Sequence, residues 1–101
     1  MDNLNVEAAY FIHYEGDRLL DLSIVMDTLG AYHAMPDSWI LRTRNKQLDV
    51  WGKFQEFVDN NSTLFMIQVF PGSLAYWLPK SFTRDPLKEF LVGLDPYILE
   101  K

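Results

Sequence analysis

The chain contains no cysteine among its 101 residues. That excludes a disulfide framework and any thiolate metal site, and it fits a reducing compartment such as the cytoplasm. Histidine is nearly as scarce, with only 2, too few for a histidine-rich zinc centre. Basic side chains are outnumbered, 9 Lys and Arg against 14 Asp and Glu, for a formal net charge of −5. An acidic balance argues against a protein that grips nucleic acid by bulk charge. The 5 glycines are scattered, so no glycine-rich phosphate loop can form. Long apolar runs are missing too: Gln68 interrupts the stretch after Phe65, Met66 and Ile67. Nothing approaches the ~20 residues a membrane helix needs. The first seven residues lack the basic and apolar regions of a secretory signal. The expectation is a soluble, cytoplasmic protein with no membrane partner.

Apolar side chains are plentiful by contrast, at 49%, and aromatics reach 15%. That is enough for the core of one domain spanning residues 1–101. Surplus rings must fill that core or cover a partner surface.

Periodicity assigns the elements. Residues 8–15 read AAYFIHYE, short and rich in aromatic and β-branched residues, and predict a strand. Alternation puts Tyr10, Ile12 and Tyr14 on one face and Phe11, His13 and Glu15 on the other. A helix is expected over 18–29, with Asp17 as N-cap, a stripe of Leu22, Val25, Met26 and Leu29, and Gly30 as the stop. Pro36 and Asp37 are turn residues. The flanking segments 32–35 and 38–43 read as a hairpin or as one broken strand. A second helix is expected over 45–60, with Val50, Trp51, Phe54, Phe57 and Val58 facing the core. Residues 63–70 are the clearest strand, and 73–78 read as a short edge strand. Asp85 and Pro86 open a last helix running to about Leu94.

The order β-α-β-β-α-β, then an appendage, predicts an α+β fold: a ferredoxin-like βαββαβ sandwich with a four-stranded antiparallel sheet and both helices on one face. Residues 8–70 form the core of this plan and 71–101 the C-terminal strand and helix appendage.

Several segments together resemble a known group. They are the aromatic-acidic pair Tyr14-Glu15 ending the first strand, Leu29-Gly30-Ala31 ending the first helix, Asp37-Ser38-Trp39-Ile40-Leu41, and Asn60-Asn61-Ser62-Thr63-Leu64-Phe65-Met66-Ile67. Over roughly residues 8–80 the chain resembles small ferredoxin-like proteins of the SinR type, grouped with the CRISPR-associated Cas-two proteins and the VapD toxins. The resemblance implies a homodimer. Some members are metal-dependent nucleases; others hold nucleic acid or protein partners without cleaving. Their active aspartate ends the first strand and faces its copy across the dimer axis. Glu15 stands at that position here, with Asp17 the nearest aspartate.

Glu15 and Asp17 are therefore the candidate catalytic and metal-binding residues, with Mg²⁺ the cofactor to expect from two oxygen donors. The plainer alternative is a strand-end charge followed by a helix cap. His13 is a candidate general base, the role imidazole side chains take most often, or else it is a hydrogen-bonded residue of the sheet face. Phe11, His13, Ile40, Arg42, Met66 and Gln68 are expected to share the face away from the helices. Such a face suits base stacking or a dimer interface, and the interface reading is preferred. Arg42 and Arg44, with Lys46, form a small basic run that suits phosphates or a solvated loop. Phe11, His13, Arg42 and Arg44 are the candidate binding residues. Tyr76 and Trp77 suit either the appendage or a dimer partner. The acidic charge, the glutamate at the aspartate position and the lack of a base-nucleophile set put a non-catalytic homodimeric interaction module first, in a nucleic-acid-related or defence system. A metal-dependent endoribonuclease is the alternative.

Overall fold

The computed structural model describes residues 7–73, 75 and 85–94. In chain order the elements are strand β1 (Ala8–Glu15), helix α1 (Leu19–Thr28), strands β2 (Tyr32–Met35) and β3 (Ser38–Thr43), helix α2 (Gln47–Phe54), strand β4 (Thr63–Val69) and helix α3 (Pro86–Phe90). The four strands make one antiparallel sheet in the order β2-β3-β1-β4. The architecture is α+β. Segments 32–35 and 38–43 form a hairpin, turned by Pro36 and Asp37 and irregular between His33 and Met35.

The strand alternation carries through to two separate cores. One face of the sheet presents Tyr10, Ile12, Tyr14, Trp39 and Leu41, which pack with Leu22 and Met26 of α1 and with Val50, Phe54 and Phe57 of the α2 region. Both long helices thus cover one face. On the other face Ala9, Ile40 and Val69 pack under Leu87, Leu91 and Leu94. Ala9 is fully buried beneath them. Tyr32 meets Phe90 at the margin, with ring centroids 5.8 Å apart.

Local chemistry sets several boundaries. Helix α1 ends in a Schellman motif: Gly30 has φ +75, its N–H bonds the Asp27 carbonyl, and the Ala31 N–H bonds the Met26 carbonyl. Its start differs from expectation. Arg18, not Asp17, occupies the N-cap, with no side-chain capping bond. In place of a cap, the Tyr14 hydroxyl accepts from the Arg18 N–H at 3.2 Å and donates to the Phe57 carbonyl at 2.8 Å.

Helix α2 is shorter than 45–60. It gives way to a 3-10 turn, Gln55–Phe57, and Val58, expected in the core, is 41% exposed. Trp51 is only half-buried. Strand β4 ends at Val69, and Pro71–Ser73 form a 3-10 turn where an edge strand was expected to begin. Residues 74 and 76–78 of that strand, with Tyr76 and Trp77, lie outside the described residues. Helix α3 opens as predicted, with Pro86 in its first turn and the Asp85 carboxylate accepting from the Lys88 N–H at 2.9 Å. It stops at Phe90, before Leu94, because Leu91–Leu94 turn back onto the sheet.

Candidate functional site

The sheet face opposite α1 and α2 is only partly covered. From the α3 end outward, β1 presents Ala9, Phe11, His13 and Glu15, each beside a β4 residue: Val69, Ile67, Phe65 and Thr63. Beyond α3, Phe65 is 49% exposed, Ile67 48% and, on β2, Met35 52%. Phe11 lies half-buried between the covered and open parts. The face expected to carry Met66 and Gln68 carries Phe65, Ile67 and Val69 instead. Pairing of Ile12 with Met66 and Tyr10 with Gln68 turns those two toward the helices, and Met66 packs against the inner core. A shift of one residue in register exchanges the two sets, and alternation within β4 alone cannot set the register.

At the end of β1 three ionisable groups converge. His13 Nε2 lies 2.9 Å from a Glu15 carboxylate oxygen, and its Nδ1 lies 2.9 Å from the Ser38 hydroxyl and 3.6 Å from an Asp37 oxygen. The Ser38 hydroxyl also donates to Asp37 at 3.3 Å. Strand pairing makes this cluster: His13 is directly opposite Ser38 across β1 and β3, and the hairpin turn presents Asp37 just before Ser38. His13 and Glu15 share a face because they are two residues apart on one strand. Ser38 is fully buried, so the ring rests on a fixed hydroxyl. Among the described residues, His13, Glu15 and Asp37 are the one group of three whose donor atoms lie close enough together, within 4.8 Å, to hold a metal ion.

Asp17 is exposed at the start of the α1 turn and stands outside this group. The sequence reading missed Asp37 and Ser38 as site residues. Both were visible, one as a turn residue and the other on the Arg42 face of β3, but only the β1–β3 register brings them to His13.

Arg42 has a different task from the expected phosphate contact. Its guanidinium is held two-fold by Glu7, at 2.9 Å through both Nε and Nη2. Its Nη1 donates to the Phe90 and Val92 carbonyls at 2.9 and 2.6 Å. These carbonyls are left open where α3 ends, so Arg42 ties the helix to the sheet. Arg44 is exposed in the bend after β3. His33 stacks on Trp39, ring centroids 5.0 Å apart, at the margin of the inner core.

A cavity of about 510 Å³ between the end of α2 and the start of β4 is lined by Trp51, Gln55, Val58, Ser62, Thr63 and Leu64. It carries no titratable side chain, so acid-base chemistry has no group there to work with. No family model, curated protein or solved structure matches the chain. No helix of the described residues is long and apolar enough to cross a membrane.

Proposed function

We propose that this protein is a ferredoxin-like, non-catalytic interaction module, one that pairs with a second copy of itself through the part of the sheet face left open by α3. The element order and the strand order β2-β3-β1-β4 support the ferredoxin-like plan. The observation that carries the pairing is the adjacent β4 pair Phe65 and Ile67, each about half exposed on the face they share with Phe11. Clustered apolar side chains at a surface mark association sites, and a two-fold axis needs only one patch that meets its own copy. The net charge of −5 and the engagement of Arg42 in holding α3 both favour a protein partner over nucleic acid. Service in a nucleic-acid-related or defence system follows the SinR-type and Cas-two/VapD resemblance alone.

Light scattering during size exclusion at tens of micromolar tests the pairing. A dimer is expected, with Phe65→Asp and Ile67→Glu variants running as monomers. A wild-type monomer overturns the reading. Ile24→Lys, on the exposed side of α1, serves as the control that leaves the mass unchanged.

A second reading, a metal-dependent endoribonuclease, draws on the cluster of Glu15 with His13 and Asp37. Labelled RNA and DNA incubated with the protein in Mg²⁺ or Mn²⁺, beside a Glu15→Gln variant, decide between the two. Cleavage that the variant loses supports the nuclease and sinks the non-catalytic reading. Intact substrate in both leaves the interaction module.

A further inference from the structure

We infer that His13, Glu15 and Asp37 form a binding site for a divalent transition-metal ion within a single copy of the chain. The inference needs neither pairing nor cleavage: an ion held here can serve structure alone.

The argument begins with the count of donors and acceptors. A neutral imidazole has one N–H, and the Ser38 hydroxyl has one O–H. Around them stand two carboxylates, the second ring nitrogen and the Ser38 oxygen, all within 2.9–3.6 Å of a neighbour. Acceptors outnumber protons, and the two carboxylates bring negative charge to one ring. Either a second ring proton or a divalent cation supplies the missing positive charge, and the cation alone accepts several of the lone pairs at one centre.

The geometry allows it. The three donor atoms already lie within 4.8 Å of one another. The Glu15 side chain is 65% exposed and that of Asp37 37%, so both can rotate inward to the ~2.0–2.2 Å that nitrogen and oxygen ligands adopt around zinc. His13 is 26% exposed, and buried Ser38 holds Nδ1, which leaves Nε2, on the Glu15 side, for the ion and requires Asp37 to swing round from the Nδ1 side. Outer hydrogen bonds of this kind orient a ligating imidazole. The donors come from two paired strands and their hairpin turn, a rigid frame that a cluster on a flexible loop lacks.

The donor set also selects the ion. Mg²⁺ prefers oxygen ligands and keeps most of its water. Imidazole nitrogen favours zinc and its neighbours in the first transition row. Three protein ligands leave at least one position for water.

Calorimetric titration of the untagged full chain, after treatment with a chelator, tests the site. Zn²⁺ is expected to bind one per chain, and Mg²⁺ at least about tenfold more weakly. Asp37→Asn and His13→Gln should each weaken Zn²⁺ at least about tenfold, while Asp17→Asn leaves it unchanged. Circular dichroism checks that each variant is folded. If His13→Gln is not, Zn²⁺-induced shifts of the His13 ring protons in the wild-type NMR spectrum take its place. Zn²⁺ affinity no tighter than about millimolar overturns the inference. So does an Asp37→Asn variant that binds as tightly as wild type, or a loss as large in Asp17→Asn.

Discussion

The His13 imidazole lies 2.9 Å from the hydroxyl of Ser38, its direct partner across the β1–β3 ladder. Twenty-five residues separate them in the chain. This one contact joins the end of the first strand to the hairpin turn. It places Asp37 beside a ring that already faces Glu15. The candidate site is thus a product of strand register.

Gly16 follows directly and has no room for a side chain. A Cβ there would stand 2.7 Å from Tyr14 Cζ and 2.8 Å from Ser62 Oγ. Tyr14 is fully buried and cannot move aside. Gly16→Ala should therefore destabilise the fold by about 1–3 kcal/mol, the usual cost of overpacking, read as a lower melting temperature by circular dichroism. Gly52 is the control: nothing lies within 4 Å of its Cβ position, and in the α2 interior Gly52→Ala should raise stability by about 0.5–1 kcal/mol.

Tyr14 is the hinge of the inner core. Its hydroxyl donates to the Phe57 carbonyl and accepts from the Arg18 N–H. Tyr14→Phe removes both bonds with little change of shape and leaves a buried carbonyl unpaired. A loss of about 1–3 kcal/mol is expected. Urea denaturation measures it, and an unchanged midpoint would count against the role.

Removal of the Arg42 guanidinium should loosen α3. Arg42→Ala gives up the bonds to the Phe90 and Val92 carbonyls and the pairing with Glu7. Hydrogen exchange at residues 87–94 is expected to speed up while exchange in β1 and β3 stays slow. Equal acceleration throughout would mean that Arg42 supports the whole fold and not α3 in particular.

The turn after α2 carries one pH-sensitive carboxylate. Backbone donation from Asn61 holds the Asp59 carboxyl below its ordinary 3.8, the Ser62 hydroxyl adds to this, and slight desolvation opposes both. A folded value below the unfolded one means the carboxylate stabilises the turn above the unfolded value. That contribution fades as pH falls through the depressed folded value. NMR titration of the Asn61 amide should show this acid transition, and Asp59→Asn should abolish it.

Much of the fold can be read from the residues in order. Alternation in 8–15 and 38–43 assigns Tyr10, Ile12, Tyr14, Trp39 and Leu41 to the inner face because side chains on a strand must point to opposite sides. Gly30 marks the end of α1 because only a residue at ease with positive φ closes a Schellman motif. Asp85 and Pro86 mark the start of α3 by capping and fixed φ. These are local effects, acting within a turn or along one strand. The shortening of α2 is less legible. Apolar spacing runs on to Val58, but only packing decides that Phe57 enters the core and Val58 faces outward.

The rest depended on which strand lies beside which, and in what register. The sequence supplies His13, Glu15, Asp37 and Ser38, but no local rule says that residue 13 meets residue 38. The same holds for β4, where alternation sorts Phe65 and Ile67 from Met66 and Gln68 without saying which pair faces the helices. Arg42 looks like a free cation in its basic run until α3 folds back and offers it two open carbonyls. Alternation, caps and turns act over a few residues and belong to the chain. Register and long-range docking are chosen by the burial of two whole faces at once, so only the tertiary structure decides them.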